Sequence, residues 1–210
     1  MDSVKRSLDL ILGGTLLILL APVMLLIALL IKWTSPGPAL FRQERVGREK
    51  RPFAMLKFRS MYHECDDRLH REYVTQMLTD DGPGEERATV YKLTDDPRVT
   101  KLGAFLRRSS LDELPQLINV VRGEMSLVGP RPVLAWEAEL LGPECDARFA
   151  VKPGITGLWQ VEGRNRLTMR EAVELDLQYV RRRNTSLDLR ILLMTLPTTA
   201  KTAITGKDAR

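Results

Sequence analysis

The hydrophobic residues of this chain are concentrated in one early segment. No residue from Leu10 to Ile31 is charged, and the run reads LILGGTLLILLAPVMLLIALLI. As a straight helix that rises about 1.5 Å per residue, the run reaches roughly 33 Å, which matches the hydrocarbon core of a bilayer. The pattern predicts a membrane helix within residues 1–33. Residues 34–210 are predicted to form a cytoplasmic domain at the membrane interface.

The flanks of the run leave two arrangements open and disfavour a cleaved signal peptide, which needs a shorter run and a small-residue cleavage site. Pro22 removes a helix hydrogen bond near the middle and predicts a kink. Positive residues on both sides favour a bent, re-entrant helix with both ends in the cytoplasm. These residues are Lys5, Arg6, Lys32, Arg42, Arg45, Arg48, Lys50 and Arg51. A kinked single-pass helix is the alternative, since spanning helices tolerate proline.

Shorter periodic segments after the apolar run predict a compact α+β domain that is mostly helical. Phe53–Phe58 is predicted as a strand, and residues 155–161 as a buried strand or extended segment. The other predicted segments are helices over 63–78, 97–108, 112–122, 169–180 and 187–204 and an exposed loop over 79–89. Asp96 is expected to cap the helix that begins at Pro97. The last helix, which Pro197 is expected to break, suits either the core or the membrane interface.

The charge balance adds a preference for an anionic partner. Lys and Arg total 32 and Asp and Glu total 27, which gives a net charge of +5. This excess fits nucleic acid, acidic lipid or a phosphorylated substrate without choosing among them. The two cysteines, Cys65 and Cys145, are too far apart for a disulfide scaffold and form no zinc motif. They are expected to be reduced thiols in the cytosol.

Candidate chemistry concentrates between Arg107 and Arg131. Asp112 and Glu113 are adjacent carboxylates, and a carboxylate can attack phosphorus to form an acyl phosphate. A diphosphate substrate needs its charge neutralised, and one or two protein carboxylates are enough to hold Mg²⁺ beside it. The pair also has a purely structural interpretation, because Ser110 with Glu113 matches a capping box at a helix start. The residues alone leave catalysis and capping both open.

Basic residues near this pair are the candidate phosphate ligands. Pro130 and Pro132 restrict the backbone around Arg131, which would aim its planar guanidinium at a phosphate. Lys57 and Arg59 share one face at the end of the predicted strand. The full set of predicted substrate-binding residues is Lys57, Arg59, Arg107, Arg108, Pro130, Arg131, Pro132 and Arg164.

Several motifs, taken in order, resemble those of the bacterial sugar transferases, the monotopic phosphoglycosyl transferases that start cell-surface glycan assembly on a polyprenyl carrier. The motifs cover nearly the whole chain, and their combination is specific although each alone is weak. They are KR with Asp9 at 5–9, AP at 21–22, GP at 37–38, FRQERVG at 41–47, KFRSM at 57–61, SLDELPQ at 110–116, GEMSLVGPRP at 123–132, KPGITGLWQV at 152–161, Asp176 with YV at 179–180, and SLD at 186–188.

The resemblance implies a re-entrant helix at the cytoplasmic face of the bacterial plasma membrane. In the family the helix breaks at a Ser-Pro pair, whereas this chain has Ala21-Pro22 and lacks the serine hydroxyl. The resemblance is to the small form of the family, which consists of the catalytic core. The shallow helix would keep the active site at the boundary between a soluble nucleotide sugar and a lipid phosphate.

The resemblance also implies a covalent reaction. Asp112 would attack the sugar-linked phosphorus of a UDP-sugar and release UMP, and polyprenyl (undecaprenyl) phosphate would then displace the phosphosugar. The product would be a polyprenyl diphosphosugar for surface glycans such as exopolysaccharide or lipopolysaccharide. Asp112 and Glu113 are the candidate Mg²⁺ ligands; Glu113 would help hold the ion or assist proton and phosphate handling, and Arg131 would contact phosphate or nucleotide.

Two other classes of function compete with this expectation. One is a metal-dependent glycosyltransferase that moves only the sugar and uses Asp95-Asp96 as its metal motif. The other is a non-enzymatic basic membrane protein that binds nucleic acid or acidic lipid. The resemblance favours the phosphoglycosyl transferase, with membrane lipids and no nucleic acid among its partners.

Overall fold

The computed structural model describes residues 2–62, 75, 96–163 and 167–205. Within these ranges the chain is mostly helical with short strands, which confirms the predicted class. The apolar run forms one helix, α1 (Asp2–Thr34), and the helix runs through Pro22. Apart from Thr75, the segments predicted over 63–78 and 79–89 lie outside the described residues.

The elements after α1 form two small sheets and a set of short helices. Strands β1 (Leu40–Val46) and β2 (Pro52–Phe58) are antiparallel, with Leu40 opposite Phe58. Strands β3 (Ser126–Val128) and β4 (Gly154–Thr156) are parallel. The helices are α2 (Lys101–Ser109), α3 (Gln116–Arg122), α4 (Ala135–Leu141), α5 (Leu158–Glu162), α6 (Met169–Arg182) and α7 (Thr185–Thr205), and 3₁₀ helices cover Arg48–Lys50, Leu111–Glu113 and Pro143–Ala150.

Local sequence patterns predict some of these elements and miss others. The strand at 53–58 and the helix at 169–180 are confirmed as β2 and α6. The extended segment at 155–161 is wrong, because only β4 is extended and the chain turns into α5 after Gly157. The predicted break at Pro197 is also wrong, since α7 continues through the proline. One missing backbone donor does not end a helix of 21 residues.

The predicted helix start at Asp96 and Pro97 is wrong. α2 begins further along, with Thr100 as its N-cap. The intervening residues pair with the segment that follows β2, where the Tyr62 amide donates to the Arg98 carbonyl at 2.9 Å. This long-range pairing overrides the local signal for a helix start.

α1 packs along the domain through both of its halves. Leu17 and Leu20 pack against the first core cluster, whereas Ile27 and Ile31 belong to the second. The first cluster comprises Met55, Leu117, Val120, Met125, Leu127, Val128, Leu158, Tyr179 and Ile191. The second comprises Ile27, Ile31, Ala39, Phe58 and Leu106. The opposite face of α1 is apolar and exposed, as expected for a surface in contact with lipid.

Polar contacts fix the first turns of α1. Asp9 is buried, and its carboxylate accepts hydrogen bonds from the Ser126 hydroxyl and the Leu127 amide, both at 3.0 Å. The Arg6 guanidinium donates to two carbonyl oxygens in the last turn of α3 at 2.6 and 2.8 Å. The last carbonyls of a helix lack the usual i+4 amide partners, and although the Gly123 amide also reaches the first of these two oxygens, at 3.0 Å, Arg6 acts as a C-cap from a distant element.

A buried network joins α1 to α6 and α7. The Lys5 ammonium lies 2.6 Å from the carboxylate of Asp188, whose other oxygen accepts a hydrogen bond from the Tyr179 hydroxyl at 2.7 Å. Burial raises the pKa of Tyr179, so its hydroxyl stays protonated and remains a donor. The first helix of the chain therefore meets two consecutive late helices, α6 and α7, at one carboxylate.

Candidate active site

Asp112 and Glu113 lie on the 3₁₀ turn between α2 and α3. Asp112 is buried, with 6% of its surface exposed. Ser110, just before it, has a φ of 58°, a left-handed conformation that costs a non-glycine residue about 1–2 kcal/mol. The Ser110 side chain makes no capping hydrogen bond, so the capping-box interpretation is wrong. Strain of this kind clusters at functional sites.

Two cations from different elements meet the carboxylate of Glu113. Lys57, on β2, has its Nζ 3.1 Å from Oε1, and Arg131 has its Nη1 4.0 Å from the same oxygen. These three side chains are between 18% and 24% exposed, so solvent and solutes reach the cluster. Both cations can therefore meet an anionic substrate without a large rearrangement.

Arg107, in the last turn of α2, lies close enough to Asp112 for their charges to interact. Burial lowers the pKa of the Arg107 guanidinium, and the negative charges of Asp112 and Asp96 oppose this lowering. A guanidinium nevertheless stays protonated at physiological pH. Arg107 thus supplies a fixed positive charge next to Asp112.

Residues 129–132, which we call the arginine loop, are held by the β3–β4 pair. The Gly129 amide donates to the Thr156 carbonyl, and the Gly154 amide donates to the Pro130 carbonyl, both at 2.9 Å. A Cβ atom at Gly154 would overlap the amide nitrogen of Gly129. The close approach of these two backbones explains the glycine at this position.

Other predicted ligands occupy different surroundings. Pro130 and Pro132 are buried, so they shape the backbone of the arginine loop and present little surface to a ligand. Arg108 is exposed on α2 next to Arg107. Arg164 lies outside the described residues.

Arg59 bonds to the chain that leaves α1. Its Nη2 donates to the carbonyl and hydroxyl oxygens of Ser35, each at 2.8 Å, and its Nη1 donates to the Pro36 carbonyl. Lys57 and Arg59 share a face in the predicted strand, yet only Lys57 pairs with Glu113. Arg59 follows the last residue of β2, and its guanidinium is engaged by the oxygens of Ser35 and Pro36 instead.

Asp96, half of the alternative metal motif, is engaged by Arg98. The Arg98 Nε and Nη2 atoms lie 2.9 and 2.8 Å from the two carboxylate oxygens. This hydrogen bonding lowers the pKa of Asp96. The bidentate pair accounts for the charge of Asp96 without a metal, and Asp95 lies outside the described residues.

The carboxylates of the site suit magnesium better than zinc. In the part of the chain that the structure describes, no three His, Cys, Asp or Glu residues lie together. Asp112 and Glu113 would therefore supply at most two carboxylates. Mg²⁺ accepts such a set, with phosphate oxygens and waters as its other ligands, whereas a structural zinc site needs four protein ligands.

Asn119 supports the site, although no pattern in the sequence marks it as a site residue. Its side-chain nitrogen donates to the Ala54 carbonyl at 2.8 Å, and its side-chain oxygen accepts from the Leu56 amide at 3.0 Å. These bonds fix α3, which follows the carboxylate turn, to the strand that carries Lys57. An asparagine within a short helix gives no sequence signal for such a role, because its partners are distant backbone atoms.

Residues 1–202 of the chain match the family described as bacterial sugar transferase. The exopolysaccharide production protein ExoY of Rhizobium meliloti is 42% identical over 193 residues, covering 92% of this chain and 84% of that protein. A UDP-glucose:undecaprenyl-phosphate glucose-1-phosphate transferase of Caulobacter vibrioides is 42% identical over 204 residues, covering 93% and 69%. An undecaprenyl-phosphate galactose phosphotransferase of Salmonella typhimurium is 41% identical over 193 residues, covering 91% and 39%.

Proposed function

Since the chain belongs to the bacterial sugar transferase family, we propose that it transfers a sugar 1-phosphate from a UDP-sugar to polyprenyl (undecaprenyl) phosphate. Asp112 is the nucleophile, and the enzyme passes through a phosphosugar-aspartyl intermediate. UMP leaves in the first step, and a polyprenyl diphosphosugar forms in the second. The relatives named as undecaprenyl-phosphate sugar-phosphate transferases support this substrate class. The reaction is then the first membrane step of bacterial surface glycan assembly.

One observation carries the assignment of the nucleophile. Lys57, Arg107 and Arg131 come from a strand, a helix and a loop, and they converge on the turn that holds Asp112 and Glu113. Positive charge around a carboxylate is what its attack on a diphosphate requires, because the two anions otherwise repel each other.

The chemistry balances in two displacements. A carboxylate oxygen of Asp112 forms a bond to the sugar-linked phosphorus as the bond from that phosphorus to the UMP oxygen breaks. A phosphate oxygen of the polyprenyl carrier then bonds to the same phosphorus and displaces the carboxylate, which regenerates the enzyme. Lys57, Arg107 and Arg131 bind the phosphates throughout. Arg59, Arg108 and Arg164 stay predictions as further ligands.

Asp112 and Glu113 are the residues that would hold Mg²⁺. When bound there, the ion supplies positive charge to the diphosphate oxygens. Lys57 and Arg131 lie beside Glu113 and reduce the negative charge available to attract a cation. We therefore expect Mg²⁺ to bind together with the substrate, whose phosphate oxygens would supply the remaining ligands.

The decisive experiment traps the intermediate. Protein in detergent is mixed with a panel of UDP-sugars labelled at the sugar-linked phosphate, without the lipid acceptor. We expect labelled protein, release of unlabelled UMP in a burst of about one per enzyme, and mapping of the label to Asp112. EDTA should abolish labelling and added Mg²⁺ should restore it. Release of UDP, or turnover in single-step displacement without an adduct, would contradict the proposal.

The same product analysis separates the other two classes of function. A transferase that moves only the sugar releases UDP, and a lipid- or nucleic-acid-binding protein releases no nucleotide. Asp96 does not favour the sugar-only transferase, because Arg98 already pairs with the carboxylate that would serve as its metal ligand.

The packing of α1 supports the re-entrant arrangement that we propose, and the positive charge on both sides of the helix favours the cytoplasmic face of the plasma membrane. Arg6 near one end and Ile31 near the other both contact the same domain. A helix that crossed a bilayer would carry one end about 30 Å away from that domain. α7 adds a row of exposed leucines, Leu189, Leu193 and Leu196, which would lie in the membrane interface. The division into a membrane helix over 1–33 and a catalytic domain over 34–210 stays a prediction.

Cysteine labelling tests this topology. In a variant without Cys65 and Cys145, single cysteines replace Val4 or Trp33, which are 57% and 86% exposed at the two ends of α1. A membrane-impermeant maleimide should label neither in intact spheroplasts and both in inverted vesicles. A cysteine at Ile18, in the lipid-facing middle, should stay unlabelled in both preparations. Labelling of the two ends from opposite sides would establish a spanning helix.

A further inference from the structure

The backbone of Arg131 is held by a buried ion pair. The Arg148 Nη2 atom lies 2.6 Å from the Asp176 carboxylate and also donates to the Arg131 carbonyl at 3.0 Å. Asp176 in turn accepts a hydrogen bond from the Arg131 amide. One ion pair thus engages both polar backbone groups of Arg131.

A second buried ion pair holds the end of the arginine loop. The Arg45 Nη1 atom lies 3.3 Å from a carboxylate oxygen of Glu137 and 3.4 Å from the Pro132 carbonyl. The same Glu137 oxygen accepts a hydrogen bond from the Leu134 amide at 2.6 Å. Arg45 comes from β1 and Glu137 from α4, so elements distant in sequence again meet at this loop.

Stability alone does not account for these four buried charges. Removing two ions from water costs several kcal/mol each, and replacement of a buried pair by apolar residues is often neutral or stabilising. Burial raises the pKa of Asp176 to about 6, which reflects that cost and still leaves the carboxylate ionised at neutral pH. The pairs do provide hydrogen bonds to backbone atoms of the arginine loop, which apolar side chains cannot make.

We propose that Arg148–Asp176 and Arg45–Glu137 are positioning pairs that aim the Arg131 guanidinium at the reacting phosphate. The inference rests on the proposed function, in which Arg131 binds phosphate beside Glu113. The pairs touch no substrate and act only through the loop backbone. A displacement of about 1 Å at such a residue can lower the rate about a hundredfold.

Replacement of the more buried pair separates positioning from folding. Arg148→Met combined with Asp176→Leu should keep a thermal midpoint near that of the wild type, yet lower kcat/KM for nucleotide release by about 10- to 100-fold. The matched control is Lys50→Met with Asp146→Leu, an ion pair from the same region whose side chains are 55% and 44% exposed. The control should retain wild-type kcat/KM.

A double-mutant cycle with Arg131 distinguishes positioning from a purely structural role. If the pair only stabilised the fold, its replacement would lower kcat/KM equally whether or not Arg131 is present. In an Arg131→Gln background, the same double replacement should lower kcat/KM less than about threefold, because the side chain it positions is gone. Equal losses in both backgrounds, or no loss in a folded variant, would overturn the inference. If the protein with the apolar pair does not fold, the Glu137→Gln variant provides the test instead. It should lower kcat/KM several fold when Arg131 is present and should have little effect in the Arg131→Gln background.

These results are independent of the chemistry proposed above. The assay counts nucleotide released, whether UMP or UDP, so coupling is measured even if no aspartyl adduct exists. Failure of the proposed function appears as UDP release or a missing adduct in the wild type. If the positioning inference is wrong, the losses in kcat/KM caused by the pair replacement and by Arg131→Gln will simply add.

Discussion

Replacement of Asp112 by asparagine should lower turnover by a factor of about a thousand or more. The amide keeps the size of the side chain but cannot act as the nucleophile, and loss of a covalent nucleophile has effects of this order or larger. Initial rates of UMP release and the labelling of protein by sugar phosphate measure the effect. The release of UMP and the labelling of the protein should fall together, because both require the same nucleophile.

The control for this variant is Asp146→Asn, which removes an exposed carboxylate that pairs with Lys50 on the surface. It should be fully active. The melting temperature and membrane association of Asp112→Asn should match those of the wild type, since asparagine fits the same turn. Activity close to that of the wild type in a folded Asp112→Asn protein would exclude Asp112 as the nucleophile.

Replacement of Gly103 by alanine should be among the most destabilising single methyl additions in the domain. A Cβ atom there would overlap the backbone carbonyl oxygen of Ser60, which also accepts a hydrogen bond from the Thr100 amide at 3.0 Å. We expect a loss of about 3 kcal/mol in the free energy of unfolding, at the upper end of the usual cost of overpacking, because backbone cannot move aside as a side chain can. This corresponds to a fall of roughly 6–12 °C in melting temperature.

The same substitution should also impair the active site. α2 carries Arg107, and the segment ending at Ser60 follows the strand that carries Lys57, so the added methyl pushes apart two cation-bearing elements. Gly14→Ala is the matched control, because a Cβ at Gly14 meets no atom within 4 Å. It should be neutral or slightly stabilising. A Gly103→Ala protein as stable and active as this control would show that α2 and the Ser60 segment are not in such close contact.

Elements governed by local patterns could be predicted from the sequence. α6 has a capping box from Thr168 to Glu171, exposed acids at Glu171 and Glu174 and a helical spacing of apolar residues, and each signal points to the same element. The end of α3 is similarly local, because Gly123 takes up a φ of 87° as a C-cap.

The remaining elements depend on contacts that are distant in sequence. Asp96 and Pro97 form a good helix start, yet the next two residues form a turn and Val99 pairs with Met61, so the helix begins only after Thr100. Ser110 and Glu113 spell a capping box, yet the serine adopts a left-handed conformation and the glutamate turns toward Lys57. In both cases the local signal is real, and a tertiary contact outweighs it.

The candidate site shows the same division. The sequence singles out Lys57, Arg107, Asp112, Glu113 and Arg131, and the fold brings them into one neighbourhood. It assigns no role to the buried charges behind Arg131, although Arg45 and Asp176 lie in the motifs shared with the family. A sequence gives no sign that a particular arginine is buried, because the residue type is usually exposed and its partners are distant in the chain.

The contact between Lys5 and Asp188 spans 183 positions in the chain. A ribosome adding about 5–20 residues per second needs roughly 10–40 s to cover that distance. Throughout this interval α1 has been synthesised but the helix that supplies its carboxylate partner has not. We therefore expect lipid or a chaperone to bind the nascent apolar segment until α7, which supplies Asp188, has been synthesised.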